Sequence, residues 1–120
     1  MRIAYLTFDE VNRHLALALA DEHGVSLDVH ARPEGIRERD YQAVLYDQDS
    51  FPRDEHSANL TAVLACPPHR PVAVHGYEIA ADHLQVMRHR GAIVARRLGA
   101  GMFARLITAV RAAHRQDSVA

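Results

Sequence analysis

The chain of 120 residues contains no lysine, because all 14 residues counted as lysine or arginine are arginines. Without a lysine amine, Schiff-base chemistry and a P-loop lysine are excluded, and no glycine-rich phosphate loop is present either. The single cysteine, Cys66, excludes an internal disulfide and favours a cytoplasmic setting. No apolar run approaches the roughly 20 residues of a membrane helix, and no signal-peptide pattern is found, so we expect no membrane partner.

The composition is that of an ordinary globular domain, with 48% hydrophobic and 24% charged residues. A formal net charge of -1 creates no overall field that would favour nucleic acid or an anionic membrane. The length suffices for one domain with a real core and is too short for two. We therefore expect a single domain over residues 1–120, with no role in binding nucleic acid.

Strand-like and helix-like hydrophobic patterns alternate along the whole chain. They predict strands over 2–8, 25–29, 42–47, 71–75 and 92–96, and helices over 10–23, 56–66, 78–90 and 101–114. Residues 31–40 are predicted to form a short helix or an irregular loop, and residues 115–120 a frayed tail. With short connections and right-handed crossovers, this order of elements predicts a doubly wound α/β domain with five parallel strands.

Acidic residues follow two of the predicted strands. Asp47 ends the apolar run 41–46, and Asp9 and Glu10 follow the run 3–8. The carboxyl ends of parallel strands meet at one edge, where ligands bind. Three carboxylates there would suit a hard divalent cation, or one carboxylate that accepts a phosphoryl group. In the alternative interpretation, Asp9 only caps the first helix, and Asp47 or Asp49 orders its own loop.

In these features the chain resembles the receiver domain of response regulators over nearly its whole length. The resemblance implies a flavodoxin-like fold with strand order 2-1-3-4-5 and helices on both faces. It also implies Asp47 as phosphoacceptor and Asp9, Glu10 and Asp47 as ligands of Mg²⁺, with Pro52 in the loop that follows. The segments that carry the resemblance to the third, fourth and fifth strands are YQAVLYD, PVAVHGY and GAIVARRL.

The chain departs from the receiver pattern at the positions that switch the domain. Where the family carries Ser or Thr after the fourth strand, this chain has His75 and Gly76, with no hydroxyl. Where the family carries Lys-Pro after the fifth strand, it has Arg96 and Arg97, and arginine does not replace lysine neutrally. The segment for the second helix is several residues short. The resemblance is therefore to an atypical receiver, also called a pseudo-receiver.

Other polar residues allow a functional and a structural interpretation. The nine histidines show no helical i, i+4 pair and no Cys/His cluster, so zinc is not expected. His75 could bond a phosphoryl group or sense pH, or it could simply pair with backbone at a strand end. Cys66 is predicted to be a buried structural thiol rather than a nucleophile. Arg88, Arg90, Arg96 and Arg97 form either a solvated face or a partner-binding surface.

These observations predict a bacterial signalling domain that is not an enzyme and that acts through protein–protein interaction. Its partner would be a signalling protein, an output domain or a second copy bound through the last two helices. Mg²⁺-assisted phosphorylation of Asp47 would bias those helices toward a binding state; without it the same surface would bind constitutively. The alternatives are a small flavodoxin-like enzyme or nucleotide-binding protein, which the fold alone does not exclude, and a purely structural dimerisation domain.

Overall fold

The computed structural model of the protein describes residues 1–65, 67 and 69–119. The prediction of a buried thiol at Cys66 falls outside these residues, as does residue 120 of the predicted tail. Five parallel strands form one sheet in the order β2-β1-β3-β4-β5, which confirms the predicted fold class and strand order. The strands are β1 (Arg2–Leu6), β2 (Ser26–His30), β3 (Ala43–Asp47), β4 (Val72–His75) and β5 (Ile93–Ala95).

Four α-helices occur in the described part of the chain: α1 (Glu10–Glu22), α2 (His56–Leu64), α3 (Ala81–Arg90) and α4 (Ala100–Val119). Short 3-10 turns cover Pro33–Glu38, Gln48–Ser50 and Arg53–Glu55. The first of these turns takes the place of a longer helix between β2 and β3, in agreement with the short segment seen in the sequence. No helix of the described residues is both long enough and apolar enough to cross a bilayer.

Local sequence signals set several of the helix ends. The Asp9 side chain accepts a hydrogen bond from the Val11 amide and caps α1. Gly91 ends α3 with a φ of 79°, in the left-handed region that glycine enters without strain. The prediction of a frayed tail from residue 115 onward is wrong for the described residues, because the backbone of α4 continues as helix to Val119.

Two predicted boundaries also shift, for reasons that matter to the site. Strand β1 ends at Leu6 rather than at residue 8. The Thr7 amide still bonds the His30 carbonyl on β2, and the Thr7 hydroxyl bonds the Asp47 side chain on β3. Helix α3 begins at Ala81 rather than at residue 78. The preceding residues are tied down instead, since the Tyr77 amide and the Glu78 carbonyl bond side chains that follow β3.

The sheet is buried on both faces, and side-chain alternation along each strand supplies two hydrophobic layers. Ile3 and Tyr5 face the layer that packs under α1 and α4, whereas Ala4 and Leu6 face the layer under α2 and α3. Truncating a fully buried side chain such as Phe103 to alanine in a layer of this kind costs about 3–5 kcal/mol. The two layers hold the carboxyl ends of β1, β3 and β4 in fixed register.

Candidate functional site

The candidate site lies at the carboxyl edge of the sheet, where β1, β3 and β4 end side by side. Asp47 is in register with His75 on the adjacent strand. Thr7 follows β1 on the other side of β3. All three polar side chains are buried: Asp47 is 1% exposed, and Thr7 and His75 are 3% exposed. Buried polar groups of this kind require partners, and here they find them in one another.

The Asp47 carboxylate is held by three other elements of the fold. Its Oδ2 atom accepts a hydrogen bond of 2.9 Å from the Thr7 hydroxyl and another of 2.9 Å from the Asn12 amide on α1. Its Oδ1 atom lies 3.7 Å from Nδ1 of His75. Hydrogen bonds to a charged acceptor are roughly twice as strong as neutral ones. The carboxylate is therefore an internal acceptor that joins β1, β3 and α1.

The His75 ring extends the same network to Tyr5. Its Nε2 atom lies 2.8 Å from the Tyr5 hydroxyl, so the ring bonds a side chain rather than the backbone. Burial lowers the pKa of His75, and the negative charge of Asp47 opposes that shift. Burial also raises the pKa of Tyr5, with Asp47 adding to the effect. In a neutral ring the carboxylate of Asp47 favours the proton on Nδ1, which faces it, so we infer that the Tyr5 phenol donates to Nε2.

Asp9 and Glu10 lie at the same edge but are engaged differently from Asp47. Oδ1 of Asp9 accepts a 3.0 Å hydrogen bond from the Val11 amide, as the helix-cap interpretation requires. The Glu10 side chain is 80% exposed and lies 3.8 Å from Nε2 of His14. Over residues 1–65, 67 and 69–119, no group of three or more His, Cys, Asp or Glu side chains is arranged to hold a metal ion.

The loop after β3 is tied to the loop after β4 through Asp49 and Gly76. Oδ2 of Asp49 accepts a 2.8 Å hydrogen bond from the Tyr77 amide, so Asp49 orders the neighbouring loop rather than its own. A Cβ atom on Gly76 would lie 3.1 Å from Oδ1 of Asp49 and 3.4 Å from the Gln48 side chain. The Gln48 side chain in turn donates to the Glu78 carbonyl over 3.3 Å. Gly76 is thus a close-approach position, where a larger residue would require the Asp49 side chain to shift.

Arg96 and Arg97 follow β5 at the same edge, and both side chains are exposed. No ion pair or hydrogen bond joins Arg96 to Asp47 in the described part of the chain. The three predicted switch positions therefore differ in their contacts. His75 and Gly76 contact the residues around Asp47, whereas Arg96 lies in solvent.

The sequence interpretation missed Tyr5, Thr7 and Asn12, which supply most of the contacts to Asp47 and His75. A signal for two of them was present. Tyr5 and Thr7 are two residues apart on the first apolar run, so they point to the same face as Asp47 once the strands pair in parallel. Asn12 had no such signal, because its contact depends on how α1 packs over the sheet.

An open groove lies beside the network, on the β2 side of β1. It has a volume of about 340 Å³ and is lined by Thr7, Phe8, Asp9, Glu10, Arg13, Val29 and Ala31. Phe8 is 72% exposed and Val11 is 74% exposed, so the rim of the site carries unusually apolar surface. The carboxyl edge therefore combines a sealed polar interior with an accessible, partly apolar exterior.

No protein-family model matches the sequence, and no curated protein matches it. Solved structures do match. A CheY-like response regulator receiver domain protein from Methanospirillum hungatei JF-1 is 11% identical, with a TM-score of 0.79 over 96% of this chain and 97% of that one. A response regulator protein from Burkholderia multivorans is 21% identical, with a TM-score of 0.65 over 92% of this chain and 94% of that one.

NtrX from Brucella abortus is 16% identical, with a TM-score of 0.75. The match covers 98% of this chain and 28% of NtrX, so this chain spans about a quarter of that protein. At these identities the comparisons establish the fold: the chain has the CheY-like architecture of response-regulator receiver domains.

Proposed function

We propose that this chain is a receiver-like signalling domain that acts through contact with another protein and does not depend on phosphorylation of Asp47. The observation that carries the proposal is the burial of the Asp47 carboxylate, which accepts hydrogen bonds from Thr7 and Asn12 and lies 3.7 Å from the His75 ring. The fold is that of receiver domains, and the residue at the phosphoacceptor position is present, but it serves as a buried acceptor.

Phosphorylation requires a carboxylate oxygen to reach the phosphorus atom of a donor, and the geometry here opposes that approach. The Asp47 side chain is almost completely buried, and one of its oxygens already accepts two hydrogen bonds. The other oxygen, Oδ1, accepts no hydrogen bond from the described residues, but it lies in the buried interior 3.7 Å from the His75 ring, so a donor reaches it only if this buried edge opens. Mg²⁺-assisted phosphorylation of Asp47 therefore remains a prediction, and it requires opening of this network.

The carboxylates do not fit a Mg²⁺ ion in their present arrangement. An Mg²⁺ site needs oxygen ligands that converge on an octahedron completed by water. Asp9 uses a carboxylate oxygen to cap α1, Glu10 extends into solvent beside His14, and Asp47 faces inward. We therefore derive no step through a metal ion.

The residues at the switch positions support a fixed rather than a switching domain. His75 stands where a mobile hydroxyl would be expected, and its ring is anchored to Tyr5 at 2.8 Å. Arg96 stands where a lysine would pair with the acceptor, and it is exposed. Because His75 is anchored and Arg96 makes no ion pair or hydrogen bond with Asp47 in the described part of the chain, neither side chain links Asp47 to the surface, and the surface of the domain would keep one conformation.

In such a domain the exposed surface carries the function. The partner would be a signalling protein or an output domain in a bacterial cytoplasm, or a second copy bound through α3 and α4. Val86 on α3 is 52% exposed, and exposed Arg88 and Arg97 lie on or next to the same elements. Arginine is enriched at protein interfaces, and the buried core of an interface is more apolar than its rim.

No observation favours an enzyme of the same fold. Tyr5, His75 and Asp47 follow one another as in a proton relay, but Tyr5 is fully buried and its pKa is raised. A nucleophile needs access to substrate and a lowered pKa. The order of the three groups is therefore explained by mutual satisfaction of buried polar atoms.

The proposal is tested by incubating the protein with acetyl phosphate and Mg²⁺ and measuring its intact mass, with Asp47→Asn as the control. The expected result is no phosphoryl adduct on either protein, and no Mg²⁺-induced NMR shifts at the amides of Asp9 and Asp47. Stoichiometric modification of the wild type that is absent from Asp47→Asn would contradict a phosphorylation-independent role.

A further inference from the structure

The amino edge of the sheet, opposite the Asp47 network, carries three adjoining grooves. The segments that precede β3 and β4 and the second half of α4 meet there. The grooves have volumes of about 320, 400 and 440 Å³. The groove of about 320 Å³ shares Asp40, Pro67 and Arg70 with the groove of about 440 Å³. It shares Gln42, Val110 and His114 with the groove of about 400 Å³. Because they share walls, they form one continuous depression, named here the amino-edge groove.

The lining of the amino-edge groove is strongly basic. Among the described residues that line it are five arginines and one aspartate, whose side chains sum to a formal charge of +4 with the two lining histidines neutral. The whole chain has a formal charge of -1, so the rest of the molecule carries the compensating negative charge. A concave surface lined by one sign of charge focuses the field and attracts ligands of the opposite sign. The arginines are Arg37, Arg39, Arg70, Arg111 and Arg115.

The groove favours a peptide over a nucleic acid. Single-stranded nucleic acids are bound by stacking their bases on exposed aromatic side chains. Tyr41 is the one aromatic residue among the described residues that line the groove. It is 3% exposed, and its hydroxyl donates to Asp28. Exposed apolar side chains such as Met1 and Pro67 line the same depression and would suit apolar residues between acidic ones.

We propose that the amino-edge groove is a docking site for an extended acidic peptide segment of a partner protein. An elongated ligand fits the shape of the groove, and a negatively charged one fits its arginines. Its apolar patches favour a peptide in which apolar side chains alternate with acidic ones. Several arginines in one groove provide both attraction and orientation for carboxylates. The proposal depends on no property of Asp47, so it stands or falls separately from the proposed signalling role.

The test is an NMR titration of ¹⁵N-labelled protein at low ionic strength with a synthetic peptide in which glutamates alternate with alanine and leucine. The control peptide has glutamine in place of each glutamate. We expect amide shifts to concentrate in residues 36–42, 69–71 and 110–115, and the control peptide to leave these amides unshifted. Shifts that concentrate at the carboxyl edge instead, or an acidic peptide that produces none, would overturn the proposal.

A triple variant measures the contribution of the arginines. Arg37→Gln, Arg39→Gln and Arg111→Gln remove three exposed charges from the groove. Each exposed charge pair contributes a fraction of a kcal/mol, so the affinity for the acidic peptide should fall about tenfold. The affinity should also fall with added salt, because surface charges are screened.

The matched control removes the same number of charges elsewhere. Arg13→Gln, Arg88→Gln and Arg97→Gln are also exposed substitutions, and they lie outside the groove. This control should change the affinity by less than about twofold, because its charges are distant and screened. Equal losses in the two triple variants would reduce the effect to net charge and overturn a specific site.

A single-stranded oligonucleotide of matched charge is the third arm of the experiment. The proposal expects it to bind the groove more weakly than the acidic peptide, since no exposed Phe, Tyr or Trp ring lines the described part of the groove and its phosphates do not match the apolar lining. Tighter binding of the oligonucleotide at the same amides would overturn the assignment of a peptide partner.

Discussion

The contact between Thr7 and Asp47 allows a quantitative test of the buried network. Thr7 is 3% exposed, donates to Asp47 over 2.9 Å and accepts a 3.1 Å hydrogen bond from the Asp9 amide. Thr7→Val keeps the shape of the side chain and removes only the hydroxyl. The substitution therefore isolates the polar interactions from packing.

The expected magnitude follows from the two hydrogen bonds that are lost. A bond to a charged group contributes about 1.5–3 kcal/mol, and the carboxylate that remains is buried with one donor fewer. The Asp9 amide lies at the rim, where water replaces much of the second bond. We therefore expect Thr7→Val to lower the free energy of unfolding by about 2–3 kcal/mol.

The assay is urea unfolding of a double-mutant cycle that combines Thr7→Val with Asp47→Asn. Asparagine keeps an oxygen acceptor but no charge, so Thr7→Val should cost about 1 kcal/mol less in that background. Thr61→Val is a matched control, because the Thr61 hydroxyl only bonds the Ser57 carbonyl on an exposed helix surface. It should change stability by less than about 0.5 kcal/mol. Equal costs of Thr7→Val in both backgrounds would refute the reasoning.

Three further predictions concern backbone conformation, the tyrosines and pH. Gly91→Ala should destabilise the protein by about 1 kcal/mol, because Gly91 has a φ of 79°. Gly101→Ala in α4 should stabilise the protein by about 0.5 kcal/mol, because alanine favours the helix and nothing lies near the added methyl group. Thermal unfolding of both variants shows whether the signs differ. Tyr5→Phe removes the hydroxyl bonded to His75 and should cost about 1–2 kcal/mol in urea unfolding; an unchanged midpoint would contradict that bond. Burial raises the pKa of Tyr46 from 10.0 to about 12, so folding retains a proton that the unfolded chain loses. The free energy of unfolding should therefore be undiminished by this group below pH 10 and should decrease between pH 10 and pH 12. Tyr46→Phe should make that decrease shallower. An identical pH profile for the variant would argue against the raised pKa.

The strand order and the two-sided sheet were predictable because they depend on periodic signals. The apolar runs that contain Leu6, Tyr46 and Val74 are continuous, as strands buried on both faces require. The acidic residues at the ends of two such runs indicated which edge carries the site, and Asp47 does lie there. Local signals also worked: the helix predicted to end at residue 90 does end there, with Gly91 as its C-cap, and Asp9 caps α1.

The hydrogen-bond partners and the burial of each site side chain were not predictable from the sequence, because they depend on which groups share a face of the sheet and how deeply those groups lie. The sequence allowed Asp9, Glu10 and Asp47 to share one metal ion, with a helix cap as the alternative for Asp9; in the structure Asp9 caps a helix, Glu10 is solvated and Asp47 is buried. His75 was expected to pair with backbone, and its partner is a tyrosine from 70 residues earlier in the chain. Contacts over such separations arise only when the sheet is assembled.

The central claim is that Asp47 belongs to an internal network with His75, and side-chain ¹⁵N NMR of His75 tests it most directly. The account predicts a neutral ring at pH 7 with its proton on Nδ1, protected from exchange with solvent, and a changed Nε2 resonance in Tyr5→Phe. A charged or freely exchanging ring, insensitive to Tyr5→Phe, would contradict the account.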